Sequence, residues 1–322
     1  EQYRSWSKEL LERPELTQTI ELHRKQQFAF DVIWSQTLAE ARAKGIQIIG
    51  DMPMFVSEDS ADVWAHPELF ALDDTGHTEL QAGAPADAFS QDGQLWGNPT
   101  YNWQAHKDEG YRWWIERFRR SFYLYDYTRL DHFIGFTSYY AIEQGKTAAE
   151  GSFKFSPGLE LFDVAYKQLG PLPFIAEDLG AVTPAVRALL SQTGFPGMSV
   201  IQFADEDCRY SFTPAQESIV YSGTHDTQTL MGFVEARFTG GQATDESHQI
   251  FDHLMEQVVS TSNAVVILPL QDVLGLSDDA RMNIPGKAEG NWSWQVKKDI
   301  LTIEIVQKLQ RFVELHQSKL DA

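Results

Sequence analysis

Apolar and polar positions along this chain switch repeatedly between a helical rhythm and short continuous apolar runs. The longest helical stretch covers 16–44 and stops at Gly45, a helix-ending residue, before the apolar run IQIIGDMP. Five further strand-like runs follow, in FYLYDYTRLD, LPFIAED, MSVIQFA, SIVYSGTHD and NAVVILPL. Most are apolar throughout, as parallel strands covered on both faces must be. Helical patterns lie between them near 107–121, 183–193, 227–237, 246–261 and 296–316. The second of these opens on Thr183 and Pro184, an N-cap followed by a first-turn proline. Six strands alternating with helices predict an α/β fold built on a parallel sheet. No repeat, low-complexity tract or Pro/Gly/Ser linker interrupts 1–322, so a single domain is expected.

One segment breaks the rhythm. Residues 52–106 are rich in Asp, Gly, Pro and aromatics, with no sustained period, and a connection of that length inside a compact domain is usually functional. It is expected to roof the C-terminal ends of the strands, where barrel enzymes keep their chemistry.

Composition narrows the partners. Forty-six acidic against 26 basic residues leave a net charge of −20, which repels phosphate backbones and anionic lipid, so neither nucleic acid nor membrane is expected. No apolar run approaches the length of a membrane span. Cys208 is the only cysteine, no internal disulfide is possible, and a reducing, cytoplasmic setting is expected. The sequence starts at Glu1 without Met, which fits a mature form or a fragment.

Candidate chemistry sits at three strand ends. In TRLDH, strand alternation puts Arg129 and Asp131 on one face, so a guanidinium can hold the carboxylate ionised as a nucleophile. A purely structural Arg-Asp pair is the plainer reading. Glu177 emerges from the apolar run Phe174, Ile175, Ala176, where burial favours a protonated acid. Adjacent Asp178 competes for that role, and a solvated acidic turn would read the same way. In YSGTHDT, Gly223 permits a tight turn, after which His225 and Asp226 can bond adjacent hydroxyls of a sugar ring; a metal site or an N-cap at Asp226 are the alternatives. No tight metal-ligand set and no phosphate-binding glycine motif is present, so neither metal nor cofactor is expected. Nine Trp, eleven Tyr and twenty Phe supply flat faces for sugar rings, and Phe55, Trp64, Phe70, Phe89, Trp96, Tyr101 and Trp103 fall in or beside the roof segment. Most other aromatics, Trp113 and Trp114 included, are expected in the core.

Taken together, GDMPMFVSEDSADVWAHPELF, PADAFSQDGQLWGNPTYNW, TRLDHFIGF, IAEDLG, TGFPGMSVIQF, GTHDT and ARMNIPGKAEGNWSW resemble the disproportionating 4-alpha-glucanotransferases, the amylomaltase family related to the alpha-amylases. The likeness runs from about 45 to 296. It implies a (β/α)8 TIM-type barrel with an inserted loop region at 52–106; the six strands here, with GDMP matching the third of the pattern, leave its first two strands absent from this chain. It also implies Asp131 as nucleophile, Glu177 rather than Asp178 as general acid/base, and Asp226 as transition-state stabiliser. Arg129, His132 and His225 become partners around the cleaved sugar, with Asp51 in the floor. Asp87, Phe89, Gln94, Trp96 and Asn98 are assigned to a loop over bound glucan, and Asn283 to a late substrate contact.

The implied reaction is double displacement with retention on alpha-1,4-glucans, from maltooligosaccharides to starch and glycogen segments, which places the two carboxyl groups roughly 5 to 5.5 Å apart. Two rivals stand beside it: an amylase-like glucan hydrolase using the same carboxylates, and an inert glucan-binding fragment.

Overall fold

The computed structural model describes residues 12–86, 92–204, 207–287 and 289–321. The chain divides into two compact units, one ending at Phe195 and the other beginning at Pro196. Helices and strands below are numbered along the chain.

The first unit opens on α1 (Pro14–Ala43), whose first turn carries Pro14. The helix is largely exposed, with Leu38 its buried residue, and polar contacts fasten it. Trp34 Nε1 donates to the Leu124 carbonyl at 2.7 Å and Arg42 pairs with Asp126 at 2.8 Å. The strand that follows, β1 (Ile49–Met52), requires Gly50, because a Cβ there would lie 2.1 Å from the Tyr125 ring. Next come α2 (Ala61–Ala65), β2 (Leu80–Ala84), β3 (Gln94–Pro99), α3 (Trp103–Asp108) and α4 (Arg112–Leu124). After them lie β4 (Tyr127–Leu130), β5 (Ser138–Glu143), β6 (Ser152–Phe155), α5 (Leu159–Leu169), β7 (Phe174–Ala176) and α6 (Pro184–Thr193). Thr183 does cap α6, its side chain accepting the Val186 amide.

Two sheets organise this unit. Strands β1, β4 and β7 form a parallel sheet in that order, with Asp51 level with Arg129 and Arg129 level with Ile175. An antiparallel sheet has the order β3-β2-β5-β6. That second sheet was not anticipated. Its strands are short, carry Gly83 and Gly97, and include β6, exposed throughout, so no clean alternation marks them. Two of its strands, β2 and β3, lie in the aperiodic 52–106 region and pair with each other, and β2 pairs with β5. Under both sheets lies a core of rings: Trp114, Phe118, Phe133 and Phe136 are essentially inaccessible, with Phe162, Phe174 and Phe195 packed among them. Trp113 and Trp114 sit in this core, as their helical setting suggested.

The second unit contains β8 (Met198–Val200), β9 (Ile219–Tyr221), α7 (Leu230–Phe238), α8 (Asp245–Val259), β10 (Val266–Ile267), α9 (Leu270–Leu274) and α10 (Ile303–Leu320). Its three strands form a parallel sheet in the order β10-β9-β8. The core here is aliphatic, centred on Val220, Leu230, Leu254, Met255 and Val258. All six strands expected from the apolar runs are present and parallel. Among the described residues, no helix is long and apolar enough to cross a membrane.

Candidate active site

The parallel ladder of the first unit delivers its acidic residues to one end. Beyond the last paired residues of β4 and β7, the Asp131 amide still bonds the Met52 carbonyl at 3.0 Å and the Glu177 amide the Leu130 carbonyl at 3.0 Å. Asp131 and Glu177 are thus held at the C-terminal ends of adjacent strands. His132 then takes a left-handed turn, φ 53°, that aims its backbone amide at Glu177 Oε2, 2.7 Å away. The Leu179 amide donates to Glu177 Oε1 at 2.9 Å.

Arg129 joins three carboxylates. Its Nη1 donates to Asp51 Oδ2 at 2.7 Å and Oδ1 at 2.9 Å, and lies 3.1 Å from Asp131 Oδ1. Burial opposes the guanidinium charge, but Asp51, Asp131 and Glu177 together carry its pKa above the ordinary value. Exposure separates the acids: the side chains of Asp51 and Asp131 remain about 40% accessible, 41% and 39%, whereas Glu177 is buried. Burial first, and the Asp131 charge second, push the Glu177 pKa up to about 8, against the lowering by Arg129 and the two backbone amides. At neutral pH this carboxyl is mostly protonated beside an accessible carboxylate held by a cation. That division of labour between two carboxyl groups is what proton donation with nucleophilic attack requires.

The roof meets this site through aromatic rings. Alternation along β3 turns Gln94, Trp96 and Asn98 to the half-buried face and exposes Leu95 and Gly97. Trp96 Nε1 donates to Gln94 Oε1 at 3.1 Å, and its ring meets the His132 imidazole edge-on with centroids 4.9 Å apart. Phe55 packs within 6.4 Å of His132 and 6.1 Å of Trp96. Burial lowers the His132 pKa to about 4, so its imidazole is neutral at working pH. Asp87 and Phe89 lie outside the described residues.

In the second unit, the GTHDT turn leaves β9 through Gly223. A Cβ at that position would lie 2.8 Å from Gln202 Nε2 and 2.9 Å from Thr227 Oγ1, so a larger residue would push against the side chains that bond the loop. Asp226 is gripped on three sides. Its Oδ1 accepts from Asn283 Nδ2 at 2.5 Å, its Oδ2 lies 3.2 Å from His225 Nε2, and its carbonyl accepts from Arg281 Nη2 at 2.8 Å. The Trp292 ring, 61% exposed, lies 5.2 Å from that of His225. Among the described residues no group of three or more His, Cys, Asp or Glu is arranged to hold a metal.

Sequence reasoning therefore named Asp51, Arg129, Asp131, His132, Glu177, Gln94 and Trp96, which the structure gathers in the first unit. His225, Asp226 and Asn283 gather in the second. It missed Arg281 and Trp292. Both lie in the ARMNIPGKAEGNWSW string, where their residue types alone would have flagged them. The backbone amides of His132 and Leu179 carry no side-chain signal at all.

This α/β chain sets a buried carboxyl of raised pKa beside an arginine-held carboxylate at the ends of parallel strands, an arrangement that suits chemistry by paired acids. The chain belongs to the 4-alpha-glucanotransferase family, whose model matches residues 1–302. It is 42% identical over 306 residues to the 4-alpha-glucanotransferase of Streptococcus pneumoniae serotype 4, covering 90% of this chain and 60% of that one. Identity to the Thermus thermophilus 4-alpha-glucanotransferase is 40% over 318 residues, 93% of this chain and 64% of the relative. Among solved structures, an amylomaltase from Streptococcus agalactiae in complex with acarbose superposes with a TM-score of 0.89 at 37% identity, over 98% of this chain and 66% of that one. The chain spans about 60% of the length of the curated relatives it matches.

Proposed function

We propose that this chain is the catalytic body of a retaining 4-alpha-glucanotransferase acting on alpha-1,4-glucans from maltooligosaccharides to starch or glycogen segments. The observation that carries it is the pair of acids on β4 and β7: Glu177 buried and raised to about 8, Asp131 accessible and bonded to Arg129. In this reading Asp131 attacks the anomeric carbon while Glu177 gives its proton to the departing 4-oxygen, and the C–O bond breaks as the glucosyl ester forms. Glu177, now a carboxylate, takes the proton of an incoming sugar 4-hydroxyl, and the ester breaks to give a new glycosidic bond of the original configuration. Asp226, held by Asn283 and His225, grips ring hydroxyls as the oxocarbenium character develops. Neutral His132 and the Trp96 ring, packed against the buried ring of Phe55, offer the sugar a largely dry wall, and Gln94 and Asn98 line the same face of β3. Exclusion of water by that roof favours a sugar acceptor.

With this reading we propose the finer architecture too, a (β/α)8-type barrel, supported by the six parallel strands and the amylomaltase likeness. A cytoplasmic setting fits the lone, buried cysteine.

The test is incubation of the native polypeptide with maltotriose alone. Transfer yields glucose together with oligosaccharides longer than the substrate, in the alpha configuration by NMR. Maltose and glucose as the sole products would replace transfer by hydrolysis, and tight maltooligosaccharide binding without turnover would leave only a glucan-binding protein.

A further inference from the structure

One buried acid lies outside the machinery described so far. Asp272, on α9, has no accessible surface, and both its oxygens are committed. Oδ2 accepts the Ser222 hydroxyl at 2.6 Å and Oδ1 accepts the Leu230 amide at 2.7 Å. Ser222 and Leu230 are themselves fully buried, and they flank the residues 223–229 that carry His225 and Asp226. A single carboxylate thus closes both ends of that loop.

Its neighbour on the same helical turn acts on the opposite wall. Gln271, also buried, donates through Nε2 to the Ala280 carbonyl at 3.2 Å. Ala280 directly precedes Arg281, which bonds the Asp226 carbonyl and, through Nε, the Asn283 carbonyl at 2.8 Å. The Asn283 amide returns to the His225 carbonyl at 3.1 Å. Other bonds hold the loop as well: the Thr224 amide bonds Thr227 Oγ1 at 2.9 Å, Gln202 Nε2 donates to the Ser222 and Gln228 carbonyls, each at 3.0 Å, and Asp278 Oδ1 accepts the Thr229 amide at 3.2 Å.

We propose that Asp272, with Gln271 beside it, is the positioning residue of the reaction, tying the loop that bears Asp226 and the segment that bears Asn283 to one turn of α9. The physical reason is geometric. Asp226 can stabilise a developing charge only if its carboxylate is held to a fraction of an ångström, and its own partners are side chains on two separate irregular segments. Irregular segments gain rigidity from a shared buried acceptor. A carboxylate suits the task because its two separate oxygens can each take a donor, whereas a hydroxyl offers a single oxygen and an apolar side chain none. Burying such a group is costly unless both oxygens are bonded, as they are here.

The proposal rests on the transferase reading for its kinetic consequence, and its structural content can be tested without it. Asp272→Ala is assayed with maltotriose well below its own melting temperature. The expected result is a kcat lower by at least about tenfold, since misplacement near an ångström costs on that order or more. KM is expected to change less than kcat. Asp272→Asn keeps one acceptor for the Leu230 amide and a polar partner for Ser222, and is expected to recover most of the lost rate. Amide exchange read by mass spectrometry over 222–230 is expected to accelerate in Asp272→Ala while the 127–136 region stays unchanged. Ser222→Ala removes one of the two bonds while the Leu230 amide still holds Asp272 Oδ1, and is expected to show a smaller change of the same kind. It serves if Asp272→Ala does not fold. A lowered melting temperature with unchanged kcat and unchanged exchange would overturn the proposal, and so would an Asn variant as slow as the Ala variant. If the wild-type protein forms no longer oligosaccharides, the transferase reading fails, and the exchange experiment still decides whether Asp272 holds the loop.

Discussion

In the proposed reaction, Glu177 is where sequence and environment bear most directly on rate. Its raised pKa makes the protonated form available up to about pH 8, so transfer is expected to fall on the alkaline side with a midpoint near that value, measured as kcat/KM against pH. Glu177→Gln removes the group proposed as both acid and base, and kcat is expected to drop about 10²- to 10⁴-fold. The same change should stabilise the fold. A carboxyl whose pKa is raised on folding stabilises the native state fully only below its unfolded value and loses that contribution as pH rises through about 8. The Gln variant escapes the loss, so its advantage in melting temperature is expected to be negligible below pH 4.5 and to grow between 4.5 and 8. A variant no more stable than wild type at pH 8.5 would show that Glu177 is ionised at little cost. The TRLDH and IAED strings gave this chemistry's residue types and the proximity of Arg129 to Asp131. They did not give the His132 and Leu179 amides, because a backbone donor becomes visible only when the chain's path is known.

At the scale of elements, the apolar runs marked every parallel strand because such strands are covered on both faces and need no alternation to be recognised. The antiparallel sheet escaped for the opposite reason, having short, glycine-broken strands and one exposed member. Helix α5 also went unmarked, although Leu161, Phe162, Ala165 and Leu169 follow the helical spacing that would have located it. Two expectations belong at this scale. Gly50→Ala forces a Cβ into the Tyr125 ring at the junction of β1 with α4 and is expected to cost about 1–3 kcal/mol in urea unfolding, with activity reduced through Asp51 next door. On α3, His106 is boxed by the rings of Phe70, Tyr101, Trp103, Trp113 and Trp114, with centroids 5.2 to 6.5 Å away. Burial lowers its pKa to about 4, so it is neutral in the fold and takes up a proton when the chain unfolds. Stability from this site is complete above pH 6.5 and lost as pH falls toward 4. His106→Leu is expected to flatten that limb of the melting-temperature profile, and an unchanged slope would assign acid sensitivity elsewhere.

For the molecule as a whole, the net charge of −20 is the property no single residue carries. Self-repulsion among exposed carboxylates opposes the compact state and is screened by salt over roughly 8 Å at 0.15 M. The melting temperature is therefore expected to rise between 10 mM and 150 mM NaCl, and a fall would mean that attractive surface pairs outweigh repulsion. The six parallel strands and the family followed from the sequence by itself, since apolar runs and motif strings are local and survive any arrangement in space. Tertiary structure alone decided which oxygen faces which donor. It showed Asp51, Asp131 and Glu177 sharing the field of Arg129, a roof strand whose Trp96 meets His132, and a buried Asp272 reaching Ser222 and Leu230, fifty and forty-two residues away along the chain. Those contacts depend on burial and on long-range register, which set pKa values and hold loops still, and neither is encoded in any short run of residues.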